Sequence, residues 1–422
     1  MLNNNLKNPS IFGAYNQQPT LRDVVLLILM VFFSTMASLI ISSILPIYLI
    51  DELHFSAEQV GFVEGWAVWA AFMSKNITGM LSDKYQRRKV FIVSGTFLSI
   101  VSKGIFALTT GFVSVFAVKI LDRIAKGLRS CLVDATIADA FPVSDKWCYF
   151  FYYIKYLFFM GGAICGGIVA RSLLFGTGNR CKLVFLFALI PALIAYVCST
   201  KISSDCCKSS KPNHADDGAV EKCISDVSTT TASKSFIGSA FSAALLKFYG
   251  IIFVLMFAKF SDSFLVMKAR SLDLQVHEAP LFAIIFSISS FCGTLFSSVC
   301  VLKINRTRLL YSALFIQFFA HATAFFATSR ETLMLSNVLF GLHLGIEQGA
   351  LLAIISGLSN QQTRATTFSI YYAVTALGLL LSNLTAGKLN FLFESPSAAF
   401  LSGAIFCCFS LFLLRYFMRH NG

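Results

Sequence analysis

The stretch Gly79-Met-Leu-Ser-Asp83-Lys-Tyr-Gln-Arg87-Arg88-Lys89 decides how the chain is read, because an apolar segment lies on each side of it. Charges this dense cannot lie in hydrocarbon, so the stretch marks a tight turn at a membrane surface. The expectation for the rest of the chain is a helical protein that crosses a bilayer repeatedly.

Composition agrees with that reading. Of 422 residues, 56% are hydrophobic and 13% charged, and the mean hydropathy is +0.72. Soluble domains carry about a quarter charged residues. A net charge of +13 would point to nucleic acid in a soluble protein. Here the excess Lys and Arg fit short cytoplasmic loops, and no nucleic-acid partner is expected. Cys131, Cys165, Cys292, Cys300, Cys407 and Cys408 fall in apolar segments, where thiols act as small hydrophobes. Cys206, Cys207 and Cys223 lie in a polar segment without metal-ligand spacing. No disulfide framework, metal or cofactor is expected. The polar start of the chain lacks a small-residue cleavage site, so no cleaved signal peptide is expected either.

Apolar runs long enough to span a bilayer lie near 24–48, 58–80, 90–110, 112–138, 147–174, 182–200, 245–269, 279–302, 308–328, 332–357, 365–387 and 397–418. The fold class that follows is an all-α membrane protein with twelve transmembrane helices in two six-helix halves. Residues 1–200 form the first half, 201–240 a polar linker too poor in apolar residues to fold by itself, and 241–422 the second half. With both termini in the cytoplasm, more than half of the 34 Lys and Arg fall on that side, including Lys84 to Lys89, Lys303, Arg306, Arg308, Arg364 and Arg419. This bias sets the orientation. A shift of 219 positions (298 minus 79) lays Gly79, Lys84, Arg87 and Lys89 over Ser298, Lys303, Arg306 and Arg308. Repeats at corresponding loops are expected of a two-half transporter.

The fourth span is the most informative. Lys119, Asp122, Arg123, Lys126, Arg129 and Asp134 fall within an arc of roughly 140° at about 100° per residue. Each would cost about 2.5–3.5 kcal/mol at mid-membrane, so they face water or one another. Two readings stand: a salt-bridge ladder along this helix, or a substrate or proton pathway. Four bases against two acids leave positive charge for another partner. In span ten, Gly341, Gly345, Gly349, Ala353 and Gly357 recur every four residues and are expected to pack against a neighbour. His343 and Glu347 project from the other face; the first reads as a core histidine, the second as a proton carrier. Lys259 and Asp262 in span seven are expected to pair. Lys103 and Lys155 read as lone bases, and Tyr149, Tyr152, Tyr153 and Tyr156 as an interfacial belt or a binding cage. Eight bases inside spans exceed five clear acids (Glu64, Asp122, Asp134, Asp262, Glu347), which points to an anionic solute.

The pattern G-x-L-x-D-x-x-x-R-R-K resembles the signature loop between helices 2 and 3 of the major facilitator superfamily. Arg123-x-x-x-Gly127 resembles its helix 4 motif. The run Asp122-Arg-Ile-Ala-Lys126-Gly127-Leu-Arg129 through Asp134-Ala-Thr-Ile-Ala-Asp139 is similar to D-R-x-G-K-G-x-R and D-A-L-I-A-D in a bacterial subgroup. Asp262-Ser-Phe-Leu, Gly345-Ile-Glu347 and the run from Arg364 to Thr375 are similar to helices 7, 10 and 11 of that subgroup. The resemblance implies a gate at Gly79, Asp83, Arg87 and Arg88, with Asp83 meeting the helix that starts near Arg364. Asp139 is expected to pair with Arg87 or Arg88. It also implies a monomeric transporter of the bacterial inner membrane that works by alternating access. Lys119, Asp122, Arg123, Lys126, Arg129, Asp134, Asp262 and Glu347 then line the path of a small solute and of protons. Two departures matter. The second basic loop has lost its Gly and acid, and Gly161 to Gly167 lacks the proline of the drug-antiporter motif. Efflux of toxic compounds and a transporter-like sensor remain the alternatives. No nucleotide-binding loop or nucleophile constellation is present, and an enzyme is not expected.

Overall fold

The computed structural model describes residues 21–85, 87–140, 146–203, 243–300, 305–358 and 364–421. Each expected span coincides with helix over most of its described residues, span seven being interrupted, and no strand occurs among the described residues. The first segment is α1 (Leu21–Ser42), continued through a short α2 (Leu45–Ile47) and a π turn (Tyr48–Glu52). Then come α3 (Ala57–Tyr85), α4 (Arg88–Phe106), α5 (Phe112–Ala140) and α6 (Lys146–Gly176). A short α7 (Cys181–Phe187) leads into α8 (Leu189–Lys201). The second group comprises α9 (Ala243–Met256), α10 (Ser263–Arg270), α11 (Ala279–Cys300), α12 (Arg306–Phe326), α13 (Arg330–Leu358), α14 (Arg364–Leu392) and α15 (Ala398–Asn421). Among the described residues, eight helical stretches are long and apolar enough to cross a membrane. Helices α3, α5 and α13 fall outside that set: their charges and glycines lower the hydropathy of residues that face the interior.

Helices α1 to α8 pack among themselves, as do α9 to α15; α3 against α14 and α6 against α11 join the two groups. Each group has two apolar cores. In the first, one surrounds Tyr48, Phe106 and Phe185, and the other Leu27, Ile92 and Leu132. In the second, one surrounds Phe264, Phe282 and Phe400, and the other Phe248, Leu309 and Ile355. The charged residues of α5, α13 and the α9–α10 junction lie between these cores. Large apolar side chains such as Phe97, Phe175, Phe315 and Ile405 are exposed on the outside, where lipid tails would cover them.

The described part of the α13 stripe, Gly341, Gly345 and Gly349, packs against α11, and the side-chain surroundings of Ala353 and Gly357 lie outside the described residues. A Cβ on Gly345 would fall on the backbone of α11, 2.5 Å from Thr294 N and 2.8 Å from Gly293 C, and one on Gly341 would lie 2.8 Å from Phe286 O. At Gly349 it would meet only the Ser297 side chain, at 2.9 Å. Gly345→Ala is therefore expected to destabilise the protein by about 1–3 kcal/mol, because backbone cannot rotate away. Gly349→Ala should cost distinctly less. Thermal unfolding of the two detergent-purified variants checks the order, and equal losses would contradict it.

Span seven differs from expectation. It is not one helix over 245–269: α9 ends at Met256 and α10 begins at Ser263. Neither glycine nor proline occurs between them, so no helix breaker marks this point in the sequence. Other helices accept the freed backbone groups. Gln317 Nε2 donates to Ala258 O at 2.8 Å, and His321 Nε2 lies 2.7 Å from the same oxygen. Ser382 Oγ donates to Phe257 O at 3.1 Å, and Ser261 N donates to Asn383 Oδ1 at 2.8 Å. Non-helical backbone at membrane depth is tolerated where it is satisfied in this way or lines a cavity.

Candidate functional site

Three adjoining cavities lie where α1, α5, the α9–α10 break and α13 converge. The largest, about 420 Å³, is bordered by Glu64, Arg123, Lys259, Asp262, His343 and Tyr371 among others. The second, about 170 Å³, shares Glu64, Arg123 and Asp262 and adds Lys119. The third is bordered by Lys103, Lys119, Asp122, Arg123 and Lys126. Arg123 borders all three.

The charges of α5 do not form a ladder along that helix. Its turn spacing puts them on one face, but each acid takes a base from another helix. Lys103 of α4 lies 3.1 Å from Asp122 and donates to Ser99 Oγ at 2.6 Å. Ser102 Oγ also donates to Asp122, at 3.3 Å. Lys155 of α6 pairs with Asp134. Lys119 reaches across to Glu64 of α3 at 3.1 Å, and Ser263 Oγ of α10 donates to the same carboxylate oxygen at 3.0 Å. Lys103 and Lys155 are thus not lone bases. A buried charge costs several kcal/mol unless it is paired, and four bases meet that cost with acids here, counting Lys259 below. Arg123, Lys126 and Arg129 form no ion pair among the described residues. Arg123 Nε and one terminal nitrogen of Arg129 are buried without a hydrogen-bond partner. Arg129 is buried and borders none of the three cavities, whereas Arg123 stands at their junction.

Span seven brings a second correction. Lys259 does not pair with Asp262; it lies in the break and pairs with Glu347 of α13. Loss of the helical turn between positions 259 and 262 removes the spacing that would have joined them. Glu347 is 0% exposed. His343 Nδ1 is 3.4 Å from the carboxylate oxygen that Lys259 contacts, while Glu347 Oε1 has no hydrogen-bond partner. The histidine is buried in the core, as its position implies, and lies beside this ion pair. Asp262 is exposed in the two larger cavities and forms no ion pair among the described residues.

The Tyr156 hydroxyl is 3.0 Å from Thr294 Oγ1, linking α6 to α11. Lys75 sits 5.4 Å from the centre of the Tyr372 ring, between α3 and α14. Further contacts join the groups at the helix ends remote from the signature loop. Gly167 of α6 meets Ile284 of α11, and Gly61 of α3 meets α14 at Asn383 and Gly387. Asp51 pairs with Arg270 at 2.7 Å, a link the sequence reading missed because the residues are 219 positions apart.

At the signature loop, Gly79 has open space where a Cβ would be, Arg87 is exposed and Arg88 is buried. The side chains of Asp83, Asp139 and Arg364 lie outside the described residues, as do Thr363, Tyr149, Tyr152, Tyr153 and 204–240 of the linker. The expected latch and the Asp139 pair fall there. Among the described residues, no group of three or more His, Cys, Asp and Glu is placed to hold a metal ion.

Two packed helical groups joined by two helix pairs, a charged cavity between them and, among the described residues, eight helical stretches long and apolar enough to cross a membrane are the features of an integral membrane protein. The sequence model of the Major Facilitator Superfamily matches residues 27–260, more than half of the chain, and the chain belongs to that superfamily of membrane transporters. An uncharacterized MFS-type transporter of Methanocaldococcus jannaschii is 25% identical over 407 residues, 95% of this chain and 96% of that protein. Solved structures share the fold. A POT family transporter in complex with 5-aminolevulinic acid has a TM-score of 0.76 at 12% identity, with 97% of this chain and 98% of the other covered. A bacterial homolog of the human lysosomal transporter Spinster, inward-facing and unoccupied, gives 0.71 at 15% identity, covering 94% and 97%. The nucleoside transporter NupG gives 0.68 at 15% identity, covering 95% and 100%.

Proposed function

We propose that this protein is a secondary active transporter that moves a small organic solute bearing an anionic group, coupled to protons, by alternating access. The observation that carries the reading is Arg123: a guanidinium without an ion-pair partner among the described residues, at the junction of three cavities between the two helical groups. Such a group is a ready partner for a carboxylate or phosphate. The remaining path residues serve it. Lys119 and Asp122 hold the α5 charges in place through Glu64 and Lys103, and Lys126 adds positive potential. Arg129 and Asp134 lie beyond the cavities and set the field along α5. Glu347, buried beside Lys259 and His343, is the proton carrier.

The chain spans the bacterial inner membrane twelve times as a monomer, with both termini in the cytoplasm, a half at 1–200, a linker at 201–240 and a half at 241–422. The Asp51–Arg270 pair and the Gly61 and Gly167 contacts close the outer side, which supports an inward-open state. Gly79, Asp83, Arg87, Arg88, Asp139 and Arg364 form the gate that closes the cytoplasmic side in the other half of the cycle. An acid at the start of the facing helix is favoured by that helix's dipole.

The test is solute-driven proton flux in proteoliposomes with a pH dye in the lumen. A panel of organic anions and lipophilic cations is added outside, and saturable lumenal acidification by at least one anion is expected. Flux with cations alone would replace the reading by drug efflux. Saturable binding of an anion without flux would make the protein a sensor.

A further inference from the structure

We propose that the solute is a zwitterion, its anionic group held by Arg123, its ammonium group by Asp262, and an apolar body between. This rests on the cavity being the solute site. The charges bordering the two larger cavities leave two without partners among the described residues. Glu64 is taken by Lys119 and Ser263, and Lys259 by Glu347. What remains is one base, Arg123, and one acid, Asp262, both bordering the same two cavities.

The conformation of Asp262 shows that local structure does not use its charge. It is the N-cap residue of α10, a position where an aspartate normally accepts a hydrogen bond from the first turn of the helix. Here its backbone is already helical, with φ −56° and ψ −18°, and its side chain makes no capping bond. Ser261 Oγ instead accepts from Ser263 N at 3.3 Å. The carboxylate therefore stands free in the cavity.

Alternating access requires the site to close around the solute and shed water. A charge that loses water without gaining a partner is strongly penalised. A simple anion would satisfy Arg123 but leave Asp262 desolvated and repelling it. A simple cation would leave Arg123 in the same position. Only a solute with both charges neutralises both groups at once. Phe260, Phe286, Phe340, Phe400 and Tyr371 border the larger cavity and supply an apolar wall for the middle of the molecule. A volume of about 420 Å³ lies within the range of about 300–1,000 Å³ typical of small-molecule sites.

The test is thermal stabilisation of the purified full chain by matched probes. One set is L-phenylalanine, 3-phenylpropanoate and 2-phenylethylamine; another is L-leucine, 4-methylpentanoate and 3-methylbutylamine. In at least one set the zwitterion should bind at least tenfold more tightly than either singly charged relative. Asp262→Asn should abolish that advantage, making the amine-free anion equal to the zwitterion or better, while Asp262→Glu should retain it. Unchanged apo stability of Asp262→Asn shows that the fold is intact. If the anions bind the natural chain as tightly as the zwitterions, and Asp262→Asn changes nothing, the zwitterion proposal falls while the anion reading stands. If only the amines bind, both fall. Failure of both sets to bind in any charge form also overturns the proposal.

Discussion

Arg123→Gln should abolish solute binding and flux without lowering the stability of the empty protein. Losing one partner of a desolvated charge pair costs about 2–5 kcal/mol, or about thirty- to several-thousandfold in affinity. No described residue depends on this guanidinium for an ion pair, and its Nε is buried without a hydrogen-bond partner. Removing it therefore orphans nothing and relieves a desolvation cost. Lys119→Gln is the control: it strips Glu64, 6% exposed, of its base and should lower stability. The measurement pairs the thermal midpoint of each empty variant with solute uptake into proteoliposomes. Arg123→Gln with near-normal uptake would reduce α5 to a structural helix.

Lys259→Met should be the most destabilising single change in the cavity, at about 3–5 kcal/mol, because it leaves the fully buried Glu347 carboxylate without its base. Adding Glu347→Gln should recover most of that loss, since the orphaned charge is then gone. Such non-additivity is the mark of a pair in contact. The two variants separate in function as well. Glu347→Gln should retain solute exchange between compartments, which needs no net proton movement, and lose proton-driven accumulation. A double variant no more stable than Lys259→Met would deny the pair, and accumulation surviving in Glu347→Gln would move the proton carrier elsewhere. Denaturant or thermal unfolding in detergent reads the first outcome, and paired exchange and accumulation assays read the second.

The helical segments were legible because hydrocarbon leaves the backbone few options: a long apolar run with its polar groups satisfied internally must be a helix. The signature loop was legible for the converse reason, since its charges exclude it from the bilayer. The α13 stripe was legible too, because small residues every fourth position lie on one side of a helix whatever they meet. The charge pairs were not. Turn spacing places Asp122 and Lys119 on one face of α5, yet it says nothing of which helix lies opposite, and so Lys103 and Glu64 went unrecognised as their partners. Nor did spacing within span seven predict its geometry, because that spacing presumed a helix that the fold interrupts.

The sequence by itself determined the membrane class, most of the helical segments and the helix faces that carry charge. All of these follow from local chemistry: hydropathy over a window, and a period of 3.6 residues. Only the tertiary structure decided which charges are spent on one another and which two, at the larger cavities, form no ion pair among the described residues. The break between α9 and α10 is the clearest case. It persists because Gln317, His321, Ser382 and Asn383, far away in the chain, satisfy the backbone groups it exposes. That same break turns Lys259 to Glu347 and leaves Asp262 bordering the same two cavities as Arg123, a juxtaposition that arises from the packing of separate helices and from no motif within any one of them.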